Sequence, residues 1–257
     1  MVTLKSAREM DAMARAGDIL GRTLARLRAM VRPGISTEDL DAEAEAFIRS
    51  HKGARPSFKG LYGFPKTLCT SIDDEIVHGI PSPKRVLKEG SVVSIDCGVF
   101  LDGLHADSAI TVPVGAVDAE ARRLLDVTER CLQAGLAAAV VGNHIGDIGH
   151  AVQTIAEGAG FGVVRELVGH GIGTRFHEDP QIPNHGSPKR GQRLQVGMTL
   201  AIEPMITVGS PETRTLPDKW TVVTQDGSLA AHFEHTVAVT EQGPRVLTLA
   251  KPAAVAS

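Results

Sequence analysis

The chain has 257 residues, 42% of them hydrophobic, enough to bury a sizeable core as one large domain or two fused halves. A net charge of −3 and a pI near 6.4 give no drive toward nucleic acid or acidic membranes. The N-terminus MVTLKSAREMDAM has no signal-peptide core, the longest apolar run (Leu136 to Val141) is too short to span a bilayer, and three irregularly spaced cysteines (Cys69, Cys97, Cys131) fit a reduced, cytoplasmic protein.

Ser6-x-x-Glu9 is a capping box. It opens a helix whose Met10, Met13, Gly17, Leu20, Leu24, Leu27 and Val31 share one face. Arg32-Pro33-Gly34 ends it, and Ser36 or Thr37 caps a second helix running to about His51. Residues Ala54 to Pro83 are rich in glycine and proline, with one strand expected near Lys66 to Ser71. Ser94 to Ile110, SIDCGVFLDGLHADSAI, reads as two strands joined at Leu101-Asp102-Gly103. Two acids, Asp96 and Asp107, sit inside this apolar hairpin. Buried carboxylates are costly unless paired or metal-bound, and a tight hairpin can turn both toward one ion.

The order then restarts. Ala119 to Val141 is predicted helical, Gly142-Asn143-His144-Ile145 breaks it, and Gly146 to Gly158 forms another helix. Ile35 and Ile145, each between paired helices, lie 110 residues apart; Gly90 and Gly197, each opening a strand, lie 107 apart. Gly90 leads in six residues to Asp96, and Gly197 in six to Glu203. His105-Ala106-Asp107 is echoed by His232-Phe233-Glu234, each followed by an alternating strand. The pattern implies one catalytic domain over residues 1–257 built by duplication, with halves of roughly 1–117 and 118–250. The expected class is α+β, a curved antiparallel sheet covered by four helices, with the acids where the halves meet.

Between the acid pairs, Gly169-His170-Gly171-Ile172-Gly173 sets a histidine among glycines, which allow close backbone approach. Two divalent ions would nearly balance Asp96, Asp107, Glu203 and Glu234. Carboxylates alone favour magnesium, manganese or calcium; His170 tilts the choice toward manganese, iron, cobalt or zinc.

With these motifs in place the chain resembles the bacterial type I methionine aminopeptidases over essentially its whole length. The resemblance is carried by HGIP at His78, SIDCG at Ser94, HADSA at His105, GHGIGTRFHEDPQIPN at Gly169, LAIEPM at Leu200 and FEHTVAV at Phe233. It implies the two-fold "pita-bread" fold and five metal ligands, Asp96, Asp107, His170, Glu203 and Glu234, with Asp107 and Glu234 bridging two ions (Co²⁺, Mn²⁺ or Fe²⁺, with Zn²⁺ as a further choice). His78 and His177 match the family's substrate-contacting histidines. Cys69, Phe176 and Trp220 match its methionine pocket, to which the loop carrying Phe58 and Phe64 adds. Phe58, Leu61 and Phe64 are larger or less polar than the family pattern. Ser71-Ile72-Asp73-Asp74-Glu75 departs from its usual asparagine-glutamate-hydrophobic run, next to where an accessory monovalent cation would lie.

The implied activity is removal of the initiator methionine from nascent chains, with a small second residue preferred and a metal-bridged hydroxide attacking the scissile carbonyl. Glu203 is then the general base, His177 the donor to the developing oxyanion and His78 the contact to the peptide nitrogen. Nascent polypeptide N-termini are the implied partners, and a monomer is expected, binding neither DNA nor membrane. The basic clusters Lys84, Arg85, Lys88 and Lys189, Arg190, Arg193 are candidates for docking to ribosomes. A proline-specific peptidase of this fold would carry a large N-terminal domain, whereas 95 residues precede Asp96. A type II enzyme would need a helical insertion, whereas 30 residues separate Glu203 from Glu234. A metal-free binding module would have lost ligands, and none is missing.

Overall fold

Ser6 starts the first helix as its spacing predicts: its Oγ accepts from the Glu9 N–H while its own N–H donates to Glu9 Oε2 at 2.8 Å. The structure, a computed structural model, describes residues 2–250. Helix α1 (Ala7–Met30) buries Met10, Met13, Gly17, Leu20, Leu24 and Leu27, and Val31 follows as its C-cap. Ser36 and Asp39 form the same reciprocal cap on α2 (Thr37–Arg49). Helix α3 (Ala119–Ala138) stops three residues before the expected Val141, because the Asn143 side-chain amide donates to the Ala138 carbonyl at 2.9 Å. Helix α4 (Ile145–Gly158) begins one residue early, where the His144 N–H donates to Asp147 Oδ2.

The two helix pairs are tied down by the same hydrogen bonds. In the first half, Gly34 N–H donates to Leu87 O, Leu87 N–H to Ile35 O and Thr37 N–H to Arg85 O. In the second, Gly142 N–H donates to Leu194 O, Leu194 N–H to Asn143 O and Ile145 N–H to Gln192 O. Partners on the helix side are 108 residues apart and those on the loop side 107. Gly90 and Gly197 both hold a left-handed φ, 87° and 90°, which a glycine adopts without steric cost as each chain turns into its strand.

Strand Val92–Leu101 pairs with Leu104–Pro113 from Val92↔Pro113 to Leu101↔Leu104. The turn is therefore two residues, Asp102 (φ 52°) and Gly103 (φ 84°), and Leu101 remains in the strand. Positive φ at both positions is the hairpin turn that matches strand twist. Strand Leu68–Ile72 pairs on the other side, with Cys69 opposite Asp96. In the second half, Thr199–Ile202 lies between His235–Thr240 and Gly169–Gly171, in the registers Ile202↔His235 and His170↔Ala201.

The single sheet expected from the sequence is interrupted, and among the described residues the ladders fall into four antiparallel sheets. At the seam between halves, Ala109 and Glu234 exchange backbone hydrogen bonds (3.3 and 2.9 Å). One step along, the Thr236 hydroxyl takes over from backbone: it accepts from the Asp107 N–H at 2.9 Å and donates to the Asp107 carbonyl at 2.8 Å. α1 and α2 cover the first hairpin through Leu20, Leu24, Leu40 and Ile48 against Val93, Ile95 and Val99. α3 and α4 cover the second half through Leu132, Leu136 and Ile148 against Leu200, Ile202 and Val237. Among the described residues no helix is long and apolar enough to cross a membrane.

Asp41 on α2 fixes the strand that carries Cys69. Its buried Oδ1 accepts from the N–H groups of Thr67 (2.9 Å) and Leu68 (2.8 Å). Asp41→Ala strands two buried donors, each worth about 1–3 kcal/mol, so an overall loss of about 2–4 kcal/mol is expected in urea unfolding. Asp41→Asn keeps the acceptor and should lose about half as much or less. Equal losses in the two variants would show that the hydrogen bonds do not anchor this strand.

Candidate active site

Register sets the acids side by side. Asp107 pairs with Gly98 and Asp96 with Ala109, so both carboxylates leave the same face of the hairpin as diagonal neighbours. Glu203 directly follows the strand ending at Ile202, and Glu234 directly precedes the one beginning at His235. Continuing the Ile202↔His235 register places the two glutamates opposite each other. His170 pairs with Ala201, two residues before Glu203, and so shares its face.

One ligand atom each from Asp107, His170 and Glu234 lies within 4.8 Å of the others, and all three residues are buried. His170 Nε2 is 3.8 Å from Asp107 Oδ2 and 3.7 Å from Glu203 Oε1. His170 Nδ1 is 2.9 Å from the Gly171 carbonyl, which fixes Nδ1 as the N–H and leaves the Nε2 lone pair toward the acids. Burial is the first force on these groups. It pushes Asp96 up to about 7. It also raises Asp107, Glu203 and Glu234 well above the usual carboxylate range, aided by their neighbours' charges. Burial lowers His170 and His78 to about 4, with His177 contributing to both, and it lowers His177 itself. At neutral pH these imidazoles are uncharged, the form that ligates metals.

Asp96 Oδ1, Asp107 Oδ1 and Glu234 Oε1 are buried and have no hydrogen-bond partner. Buried carboxylate oxygens without donors are costly unless a cation satisfies them. Four acids and one neutral imidazole make a donor set that fits divalent transition-metal ions.

The acid cluster forms one end of a cavity of about 150 Å³. All twelve side chains singled out from the sequence line it: Asp96, Asp107, His170, Glu203, Glu234, His78, His177, Cys69, Phe58, Phe64, Phe176 and Trp220. The far end is apolar. Phe58 meets Phe176 edge-on at 5.3 Å, and Phe64 meets Trp220 at 5.1 Å. Gly98 makes room for this wall, since a Cβ there would lie 2.8–3.0 Å from Ser57, Phe58 and Phe176. The Cys69 thiol is buried and pushed well above its ordinary pKa by burial, which makes it wall and not nucleophile. The loop carrying Phe176 and His177 is pinned from behind by a buried ion pair. Glu178 accepts from Lys5 Nζ at 2.5 Å and from the Arg175 N–H at 3.1 Å.

Two residues not assigned a role from the sequence belong here. His232 is 2% exposed, and its Nε2 lies 3.7 Å from Glu203 Oε2. Its signal was the His-x-Asp and His-x-Glu echo, read there only as a repeat. Tyr62, between the glycines of the pocket loop, stacks on His177. Nothing local in the sequence marks that contact.

A model of metallopeptidase family M24 matches residues 11–241. The chain belongs to metallopeptidase family M24. It is therefore a hydrolase that depends on divalent metal, and the carboxylate–histidine cluster is where such an ion fits. The methionine aminopeptidase of Clostridium perfringens is 52% identical over 98% of this chain and all of its own length. The crystal structure of methionine aminopeptidase from Thermotoga maritima superposes with a TM-score of 0.95 at 40% identity, covering 97% of this chain and all of that one. The M24 fold is wider than that activity. Prolidase from Pyrococcus furiosus shares it at TM-score 0.75 and 20% identity, but this chain covers only 66% of that longer protein. The pseudo-two-fold α+β fold expected from the sequence is thus the M24 "pita-bread" fold.

The raised carboxyl pKa values carry a stability consequence for the metal-free protein. These acids hold protons in the folded state that the unfolded chain has already released. Their contribution to stability therefore falls as pH rises from about 4, the unfolded carboxylate range, through the Asp96 value of about 7. The buried imidazoles of His78, His105, His170 and His235, lowered to about 4, and of His232, lowered to about 3, contribute in the opposite sense as pH rises toward about 6.5, so the readout specific to the acids is their response to metal. Mn²⁺ or Co²⁺ added to metal-stripped protein should raise the Tm more at pH 7.5, where the acids give up their protons to the ion, than at pH 5. A Tm that does not respond to metal at pH 7.5 would count against a metal-binding acid cluster.

Proposed function

We propose that this chain is a methionine aminopeptidase that removes the initiator methionine from nascent chains carrying a small second residue. The observation that carries the reading is the continuity of one cavity, with metal-type ligands at one end and an aromatic pocket sized for one side chain at the other. Cavities of about 150 Å³ lined by apolar groups take up a benzene-sized guest. An unbranched thioether fills such a space flexibly and makes sulfur–aromatic contacts. The relatives named methionine aminopeptidase, similar over essentially the whole chain, support the same reading.

Asp96, Asp107, His170, Glu203 and Glu234 would hold two divalent ions, of Co²⁺, Mn²⁺, Fe²⁺ or Zn²⁺. Bound there, the ions supply Lewis-acid polarisation and acidify the attacking water. Glu203 takes the proton of that water at its carboxylate. His177, neutral in the cleft, donates to the scissile carbonyl oxygen as negative charge develops. His78, held at φ 61° beside the buried Gly79, contacts the peptide nitrogen and follows it as it leaves. Phe58, Phe64, Cys69, Phe176 and Trp220 take the methionine side chain and exclude water from it. The enzyme works as a monomer in the cytoplasm on emerging N-termini, and Lys84, Lys88, Lys189, Arg190 and Arg193 are exposed for contact with the ribosome, whereas Arg85 is half-buried and tied to Glu75 and the Ile80 carbonyl.

Metal-stripped protein should be inactive on Met-Ala-Ser and regain activity with Mn²⁺, Co²⁺ or Fe²⁺ better than with Mg²⁺. Glu203→Gln should lower kcat by at least about 10²-fold, and His177→Ala should lower kcat more than it raises KM. A methylene more or less in the pocket is worth about 1–3 kcal/mol. Met-Ala and Met-Gly peptides should thus be cut well, Leu-Ala poorly and Met-Lys hardly at all. Equal kcat/KM for Met-Ala and Met-Lys, or broad cleavage of X-Pro peptides, would assign a different peptidase activity.

A further inference from the structure

Tyr62 is the only tyrosine in the chain, and its setting is unusual in two independent ways. Its backbone is left-handed (φ 51°, ψ 18°) between Gly60 at φ 90° and Gly63 at φ 89°, a region that bulky side chains rarely occupy. Backbone strain of this kind persists where surrounding contacts over-determine it, and it concentrates at functional sites. The side chain is 71% exposed, yet it makes a defined contact. Its ring lies nearly parallel to that of His177, 12° between planes and 5.7 Å between centroids. Its hydroxyl is 3.3 Å from His177 Nδ1.

On its other sides the His177 ring is bounded edge-on by Phe176 at 4.8 Å and His170 at 4.4 Å. Tyr62 flanks this solvent-exposed ring on its Nδ1 side. Among the described residues its hydroxyl is the hydrogen-bond partner of His177 Nδ1. A neutral imidazole carries one N–H and one lone pair, and the bond made by one nitrogen decides which is which. The phenol O–H is the more acidic of the two possible donors in this pair, so it donates and Nδ1 accepts. The ring proton is then on Nε2. The reverse arrangement would leave Nε2 as an acceptor, unable to stabilise negative charge on a carbonyl oxygen.

We propose that Tyr62 is a positioning residue for His177, its hydroxyl fixing the Nε2–H tautomer and its ring holding the imidazole against Phe176 and His170. The proposal rests on the aminopeptidase reading only for its catalytic consequence, because the tautomer itself can be observed without turnover. A tautomer set wrongly in a catalytic histidine can cost orders of magnitude in rate.

The test uses zinc-loaded, ¹⁵N-histidine-labelled protein, with long-range ¹H–¹⁵N spectra reading the tautomer of His177, assigned by its loss in His177→Ala. Wild type should show the Nε2–H form, and Tyr62→Phe, which keeps the stacked ring, should show a mixture. With Met-Ala-Ser, Tyr62→Phe should lower kcat by about 5- to 20-fold with KM changed less than about 2-fold. In the His177→Ala background Tyr62→Phe should cost nothing further, since the two residues act as one unit. An Nδ1–H tautomer in wild type, an unchanged tautomer and kcat in Tyr62→Phe, or losses that multiply in the double variant would overturn the proposal. If the tautomer follows Tyr62 while wild type fails to cleave Met-Ala-Ser, the positioning role stands and the aminopeptidase reading falls.

Discussion

Four carboxylates packed into a buried seam are the constraint on which this structure turns. Asp96, Asp107, Glu203 and Glu234 repel one another where water cannot screen them, and burial with mutual charge drives their pKa values upward. No hydrophobic gain comes from placing them there. Protons relieve the repulsion at low pH, and at neutral pH a multivalent cation between the carboxylates would do so, which couples metal binding to proton release. The neutral imidazole of His170 adds affinity for transition metals without adding charge.

The scaffold that holds these groups is simple in each half and specific at the join. Each half brings a helix pair, clamped by the same three backbone hydrogen bonds, and a strand pair that projects two acids. The halves meet through backbone bonds between Ala109 and Glu234 and through the Thr236 hydroxyl on Asp107. Acids from opposite halves are thus fixed by the very residues that join the halves, and small relative movements there would alter the spacing at the centre. The aromatic pocket is attached to the first half by Phe58 and Phe64 and to the second by Phe176 and Trp220. It straddles the same seam.

Much of this was legible in the sequence because it is local or periodic. The Ser6–Glu9 box, the face Met10–Leu27, the hairpin turn at Asp102-Gly103 (read one residue too long, with Leu101 in it) and the six-residue spacing from Gly90 to Asp96 each encode one feature within a short window. The repeated spacing from Gly197 to Glu203 then disclosed the second half. What stayed hidden depends on side-chain partners that no periodic pattern marks. Helix α3 ends at Ala138 because of a side chain five residues on that folds back. At the seam the ladder is interrupted where the Thr236 hydroxyl, not its backbone, pairs with Asp107, 129 residues away. His232 looked like one member of an echo, and only folding brings its Nε2 to Glu203. Tyr62 resembles a loop residue until a left-handed turn lays it on His177, 115 positions later.

The division of the acids between the halves also bears on when the cluster can exist. The first hairpin brings Asp96 and Asp107, but His170 follows 63 residues after Asp107, and Glu234 another 64 after that. A chain synthesised only as far as the first hairpin holds two of the four acids and lacks the histidine. Glu234 directly precedes the strand His235–Thr240, and its backbone bonds to Ala109 are part of the seam between the halves. The cluster is therefore incomplete until the second half is present and packed against the first.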